Sequence, residues 1–297
     1  MNSLKTVLVR RSKAPHPRSS PNRPGLFVSI LLLGLVGPIS AWAQGAADRI
    51  TVPFSDAVRA RLVKVSLLSG GITVRGGEGK DVVVEAKSKD GKSEDSGKAP
   101  KRAQGMKRIK PAGSGLIAEE ENNVVTISTG LSEHSVDLLV QVPVNTSLKL
   151  NAVEDGDILV EGVDGEIEVN SVDGDVKLNK VSGTVVAHTV DGDLTISLLK
   201  ATPGKAMSFS SLDGDIDVTF PADFKASLKV HTNNGEIYSD FEVQPAAART
   251  PVVKDDKGKG GKFSVQVEKG VIGNINGGGP EVVFKTFDGD VYIRKAK

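Results

Sequence analysis

The sequence contains no cysteine, which excludes disulfide bonds, thiol catalysis, thiolate metal sites and a lipid-anchored cysteine. Aromatic residues are also scarce, at 4% of 297 residues, whereas apolar residues reach 38% and glycine fills 33 positions. A core can form, and it must be built mainly from aliphatic side chains. Abundant glycine with few aromatic residues favours many short strands joined by tight turns over long helices.

The first 43 residues have the pattern of a secretion signal. They contain six Lys or Arg residues and no acidic residue, and an apolar run of about eleven residues (26–36) leads to Ala41-Trp42-Ala43. A bilayer span needs roughly 20 apolar residues, so the pattern favours a cleaved signal peptide over a membrane anchor. We predict cleavage after Ala43 and an exported mature chain, in the periplasm or at the cell surface, without a membrane span.

The rest of the chain is dominated by a nine-residue repeat. Glycines recur at positions 156, 165, 174, 183 and 192, and most units read Val-Asp-Gly followed by an acidic residue. Echoes of this unit occur at 212–216, 233–237 and 287–291. A fixed period of this kind indicates a repeat architecture, in which each unit buries its apolar face on its neighbours.

Apolar residues lie two, four and seven positions after each glycine. Offsets two and four alternate as in a strand, whereas the step to offset seven breaks the alternation, so each unit is predicted to be a short strand with a corner at both ends. The predicted core positions of the four units are Ile158, Val160, Val163, Ile167, Val169, Val172, Val176, Leu178, Val181, Val185, Ala187 and Val190.

Two all-β architectures fit this pattern. In a β-solenoid the units wind as coils and equivalent positions stack about 4.8 Å apart. In an antiparallel meander or sandwich the Asp-Gly pairs form hairpin turns, for which they are well suited. Strict repetition of short units favours the solenoid. We predict N-terminal strands in 44–86, a basic disordered loop at 87–115, and a repeat solenoid over 116–297 with a mobile insertion at 245–262.

The stretch 136–150, which reads VDLLVQVPVNTSLKL, contains an extended strand followed by Ser-Leu-Lys-Leu, and it precedes the Asp-Gly-Asp repeats. Together they resemble the bacterial putative-adhesin family of β-strand-repeat domains, otherwise labelled domains of unknown function. The resemblance covers roughly 136–240 and returns at 281–294. It implies a single-stranded β-helix-like fold in envelope proteins, and it implies no catalytic residues.

The acidic residues are concentrated in the repeats, where residues 151–220 hold 14 acids and 4 lysines. If two nine-residue units form one coil, alternate units share an edge, and one edge carries a ladder of carboxylates that continues toward Asn233 and Glu236. Stacked carboxylates suggest a calcium ladder, because this cation prefers oxygen ligands. The alternative is a row of solvated turn residues. The predicted ladder consists of Asp155, Asp157, Asp173, Asp175, Asp191, Asp193, Asp213 and Asp215.

No pattern in the sequence points to catalysis. Histidines with metal-ligand spacing and a G-x-S-x-G nucleophile motif are both missing. We therefore predict an envelope structural or adhesive binding module without enzymatic activity. Its partner is an unknown envelope protein or polymer and not a nucleic acid, and exposed coil edges make self-association possible. A calcium-stabilised binding domain is the first alternative, and a polysaccharide-active β-helix enzyme that uses paired carboxylates is the second.

Overall fold

The computed structural model describes residues 48–89, 114–130, 135–245, 252–256, 262–266 and 270–297. Every regular element in these residues is a β-strand, so the all-β prediction is confirmed. The strands are β1 (Asp48–Val52), β2 (Leu62–Ser69), β3 (Ile72–Gly77), β4 (Val82–Ser88), β5 (Leu116–Glu121), β6 (Val124–Thr129), β7 (Val136–Pro143), β8 (Ser147–Glu154), β9 (Ile158–Glu161), β10 (Asp164–Ser171), β11 (Val176–His188), β12 (Leu194–Ala201), β13 (Met207–Ser210), β14 (Ile216–Phe220), β15 (Ala226–Asn234), β16 (Ile237–Ser239), β17 (Gln244–Pro245), β18 (Val252–Asp256), β19 (Lys262–Gln266), β20 (Val271–Ile275), β21 (Glu281–Asp288) and β22 (Val291–Lys295).

The strands form two parallel faces that are connected through the long strand β11. The first face has the order β6, β2, β8, β10, the second half of β11, β13, β21 and β15. The second face has the order β7, β3, β9, the first half of β11, β12, β14, β22 and β16. The chain passes from a strand of the first face to a strand of the second and back, which is the winding of a solenoid. Parallel pairing of the repeat strands is incompatible with an antiparallel meander.

Within the repeats, residues 18 apart in the sequence lie side by side. Gly165 pairs with Gly183, and Asp173 pairs with Asp191. Each coil therefore contains two nine-residue units, one on each face. The 18-residue offset brings alternate Asp-Gly turns to the same corner of the solenoid.

The order of the coils differs from the order of the chain at both ends. At the N-terminal end, β2 lies between β6 and β8, so the coil made by β6 and β7 is outermost although it comes later in the sequence. At the other end, β21 lies between β13 and β15, and the last segment of the chain forms the next-to-last coil. Near each end of the solenoid, strand pairing thus places side by side segments that are distant in sequence.

Antiparallel strands flank the parallel faces. β4 pairs with β7 and β1 with β4 on the second face, while β5 pairs with β6 on the first. At the opposite end, β20 pairs with β15, and β17 pairs with β20. Covering strands of this kind satisfy backbone groups that an open edge would present to other chains.

The structure tests only some of the segments predicted from the sequence. The strands predicted in 44–86 join the same sheet as those of 116–297, because β2 pairs with β6 and β8. The predicted signal segment, and residues 90–113 of the basic loop predicted at 87–115, lie outside the described residues. The start of that loop was predicted wrongly, since β4 continues to Ser88 and pairs there with β7. The predicted insertion at 245–262 includes β18, which pairs with β19 in a separate antiparallel ribbon.

The core lies between the two faces and is almost entirely aliphatic, with Phe209, Phe220 and Phe284 buried toward the C-terminal coils. Ten of the twelve predicted core positions are buried, but Val172 is 46% exposed and Val190 is only half-buried. Strand alternation continues for one more residue at this corner, so Ser171 and Thr189 point inward in their place. At the opposite corner the residues before Val163 and Val181 have positive φ, and this turn brings both valines into the core as predicted.

Candidate functional site: the acidic corner

The predicted carboxylates gather at the corner where the chain leaves the first face and enters the second. They form two parallel columns along the solenoid, separated by one glycine in each coil. We call the column that precedes the glycine the outer column; it contains Glu154, Asp173, Asp191, Asp213 and Asp288. The inner column contains Asp157, Asp175, Asp193, Asp215 and Asp290.

The structure changes the predicted ladder at both ends. Asp155 is an additional residue with φ of 47°, and Glu154 occupies the outer position in its coil, since its carbonyl accepts the amide of Gly70 as the carbonyl of Asp173 accepts that of Gly156. Because β21 and β22 are placed between earlier coils, Asp288 and Asp290 follow Asp213 and Asp215 in the stack. Asn234 and Glu236 come only after them.

Each inner carboxylate accepts a hydrogen bond from the backbone of the next coil. The Oδ1 atoms of Asp157, Asp175 and Asp193 accept the amides of the next inner aspartates at 3.0, 3.1 and 2.8 Å. The series continues through Asp215 and Asp290, at 2.7 and 2.8 Å. The inner aspartates thus replace the carbonyl that a regular parallel ladder would offer to these amides.

The glycine carbonyl that these amides would otherwise bond accepts a hydrogen bond from a hydroxyl group instead. The buried Thr189 Oγ1 donates to the carbonyl of Gly174 at 3.3 Å, and Ser211 Oγ donates to that of Gly192 at 3.1 Å. Ser171, Thr286 and Thr232 make the same contact in their coils. The full structural motif is therefore a buried Ser or Thr, an exposed residue, and then Asp-Gly-Asp, so that carboxylate and hydroxyl together satisfy the corner's backbone.

Glycine is required at this corner for two reasons. Gly192 has φ of 136°, in the region that side chains disfavour, and a Cβ at this position would lie 2.4 Å from the carbonyl oxygen of Gly174. Gly214 and Gly289 have the same geometry relative to the glycine before them. The glycine column allows backbones of successive coils to approach closely enough for the carboxylate bonds to form.

The two columns differ in their electrostatic environment. The amide of Asp193, and after it the ammonium group of Lys177, hold the pKa of Asp175 below its usual value despite partial burial. In the described residues no hydrogen bond or ion pair reaches the carboxylates of the outer column. Throughout the same residues, no three acidic or histidine side chains converge as they would around a metal ion.

Sequence reasoning missed several members of the corner. Asp137 belongs to it, since its Oδ1 accepts the amide of Gly71 at 3.0 Å in the outermost coils. The buried hydroxyls were also missed, although a Ser or Thr two residues before Asp-Gly recurs in every full unit of this corner. Asp290 and its coil could not be placed, because the repeat period does not reveal that a distant segment inserts into the stack.

The family comparison matches most of the chain. A family model described as Toastrack DUF4097 matches residues 50–275. The chain belongs to the Toastrack DUF4097 family. The predicted resemblance to a β-strand-repeat family of unknown function is confirmed, and this Toastrack chain winds its Asp-Gly-Asp units at one corner of its coils. No curated protein matches the sequence.

Two solved structures are similar to this Toastrack chain at low identity. One is a "putative cell adhesion protein" from Clostridium sporogenes, with 11% identity, a TM-score of 0.42, and coverage of 84% of this chain and 100% of that one. The other is a "putative adhesin" from Bacteroides fragilis, with 12% identity, a TM-score of 0.31, and coverage of 85% and 98%. In the part of the Toastrack chain that the structure describes, no helix has the length and apolar character needed to cross a bilayer.

Proposed function

We propose that this protein is an exported, non-catalytic binding module of the bacterial cell envelope, which engages a protein or polymer partner through the outer surface of its solenoid. The proposal rests on a division among the repeated polar groups: some bond to the backbone of neighbouring coils, and the others face solvent. Inner aspartates and buried hydroxyls satisfy the backbone of neighbouring coils, and the remaining polar side chains face outward in columns with the regular spacing of the strands.

The first face provides an example of these outward polar columns. Its outward column beside the acidic corner runs through Asn151, Asn170, His188 and Ser210 in successive strands. Asn170 donates to Asn151 at 3.1 Å, and His188 lies 2.8 Å from Ser210. Small polar groups at strand spacing suit an extended protein or polymer partner that contacts several coils at once.

Hydrolysis of a polysaccharide is less well supported by the same geometry. A general acid for glycoside cleavage needs a carboxyl group with a raised pKa. The pKa of Asp175 is instead lowered by the amide of Asp193, so this carboxylate holds its charge and its hydrogen bond. The inner column therefore favours a structural use of the aspartates over acid catalysis.

Calcium along the acidic corner remains the alternative function. A melt of the processed chain in chelator and in millimolar calcium separates the two proposals. We expect no change in melting temperature, because the inner carboxylates already accept backbone amides. A large upward shift that is abolished by Asp173→Asn with Asp191→Asn would instead establish a cation ladder.

Export is tested by blocking the predicted signal cleavage. In a bacterial host, Ala43→Arg should leave a precursor that is longer by about 43 residues, since small residues are required at the cleavage site. Ala57→Arg, at an exposed position of the described chain, should be processed normally. Processing of the Ala43 variant at the normal rate would contradict the assignment of the signal.

Binding is tested by sedimentation with isolated envelope material. The exported, processed chain should co-sediment with membranes or with purified cell-wall polymer from its host. The amount of sedimented protein should reach a plateau as its concentration rises, which distinguishes specific binding from passive trapping in the pellet. A chain that remains in the supernatant with every envelope fraction would refute the proposed function.

A further inference from the structure

A column of apolar side chains, all exposed except the half-buried Val190, runs along the acidic corner directly beside the outer column. We call it the apolar ridge. Leu212 and Phe287 are each 52% exposed, and the ridge spans six successive coils from β2 to β21. Its members are Leu68, Val153, Val172, Val190, Leu212 and Phe287. With about 4.8 Å between strands, the ridge is about 24 Å long.

The fold does not require apolar residues at these positions. Four of the ridge residues lie between the buried hydroxyl and the outer acid of their coils, namely Val172, Val190, Leu212 and Phe287. Val153 lies instead between Ala152 and Glu154, and Leu68 lies between Leu67 and Ser69. At all six positions strand alternation directs the side chain away from the core. In the last coil Asn233 takes the same position, next to Phe287, and the strand pairing is unchanged. A polar residue is therefore compatible with the corner, and contiguous exposed apolar side chains mark an interaction surface.

The flanks of the apolar ridge define the charge of its partner. On one side lie the carboxylates of the outer column, which have no hydrogen bond or ion pair within the described residues. On the other side the column through Asn151, Asn170 and Ser210 contains no acidic residue; it includes His188 and continues beside Phe287 with Lys285. Carboxylates stacked at the spacing of the strands repel one another, and in the described part of the chain no hydrogen bond holds them in place. A cationic partner would relieve this repulsion while covering the ridge.

We propose that the apolar ridge and the outer column together dock a cationic amphipathic helix of a partner polypeptide. A helix repeats its apolar side chains about every 5.4 Å, close to the strand spacing, and about sixteen residues would cover the ridge. Lysine or arginine on one flank of that helix would face the outer column. A second copy of this chain that docked through the same corner would place its own carboxylates against the outer column, so that contact would lack complementary charge. The proposal rests on the binding function proposed above and names its partner.

The test uses designed peptides and the exported, processed chain. A labelled sixteen-residue Leu/Lys peptide with an amphipathic helical pattern is titrated by fluorescence anisotropy, beside a Leu/Glu peptide of the same pattern and a scrambled Leu/Lys peptide. We expect only the amphipathic Leu/Lys peptide to bind tightly, with affinity falling as salt rises. Equal binding of the scrambled or the Leu/Glu peptide would overturn the proposal.

Exposed-residue variants locate the binding site without disturbing the core. The triple variant Val172→Thr, Leu212→Thr and Phe287→Thr should weaken binding by about tenfold or more. The quadruple variant D173N, D191N, D213N and D288N should weaken it and reduce its salt dependence. Leu199→Thr and Asp164→Asn, at exposed positions away from the ridge, are the matched controls and should bind normally. Controls that lose as much affinity as the ridge variants would overturn the proposal.

The envelope assay separates failure of this inference from failure of the proposed function. If the wild-type chain sediments with envelope material and the ridge triple variant no longer does, the result supports both the binding function and the ridge as its site. If the triple variant sediments as well as the wild type, the ridge proposal fails and the binding function survives.

Discussion

Asp191 and Asp193 have the same side chain and lie two residues apart, yet their contacts differ. The Oδ1 atom of Asp193 accepts the amide of Asp215 at 2.8 Å, whereas Asp191 projects into solvent in the outer column. At the scale of single residues, position in the Asp-Gly-Asp turn decides whether an aspartate stabilises the fold or remains free for a partner.

Alanine at these two positions should separate the roles. Asp193→Ala should lower the free energy of unfolding by about 1–2 kcal/mol, because the amide of Asp215 loses its acceptor. Asp191→Ala should change stability by at most about 0.5 kcal/mol, since only an exposed charge is removed. Urea denaturation followed by circular dichroism measures both. Equal losses for the two variants would show that the hydrogen-bonded ladder is not what stabilises the corner.

The buried hydroxyl column makes a second prediction at this scale. Thr189→Val keeps the shape of the side chain but removes the donor to the carbonyl of Gly174, and should cost about 1–3 kcal/mol. Thr189→Ser retains the hydroxyl and should cost less. If the Thr189→Val protein were as stable as the wild type in the same denaturation assay, the carbonyl of Gly174 would have another hydrogen-bond donor.

At the scale of elements, two kinds of corner connect the faces. The acidic corner uses glycines at φ near 140° that touch one another, whereas the opposite corner uses Gly162 at 64° and Lys180 at 52°. The second conformation is one that a side chain can adopt, as Lys180 shows, and a Cβ on Gly162 would meet nothing within 4 Å.

Substitutions of glycine should therefore be tolerated at one corner only. Gly192→Ala should destabilise the protein by about 3 kcal/mol or more, because the methyl group would overlap the carbonyl oxygen of Gly174 in a strained backbone. Gly162→Asn should stay within about 0.5 kcal/mol of the wild type. Thermal melts of the two variants provide the comparison, and a stable Gly192→Ala protein would be inconsistent with stacked glycines.

At the scale of the molecule, the C-terminal segment is an internal coil. β21 and β22 pair on both sides, with β13 and β15 on one face and with β14 and β16 on the other. The chain end is therefore locked between earlier strands, although terminal segments of most domains are loosely held.

Hydrogen exchange should reveal this placement. Amides of Val282–Phe284 and Val291–Ile293 should exchange as slowly as those of β12 in the middle of the stack, because their opening requires separation of neighbouring coils. Amides of β16, in the last coil, should exchange faster. Rapid exchange across β21 and β22 would show instead that the segment lies at an end.

The sequence alone determined the local unit and its period. Glycine spacing and apolar alternation predicted a short strand after each glycine of the repeat, and the predicted strand positions at 158–160, 167–169, 176–178 and 185–187 lie in β9, β10 and β11. The acidic edge followed from the supposition that two units form one coil, which the 18-residue pairing of Asp173 with Asp191 confirms. Glycine at the corner and side-chain alternation along the strand are local properties, so the unit itself is readable in the sequence.

Tertiary structure decided everything that depends on pairing between distant segments. The insertion of β21 between β13 and β15, the outermost position of β6, and the place of Asp290 in the inner column follow from long-range strand pairing, which leaves no periodic trace in the sequence. The exposure of Val172 was decided in the same way. The corner's backbone needs a buried hydroxyl from Ser171, so the larger apolar neighbour is turned outward, where it forms part of the apolar ridge.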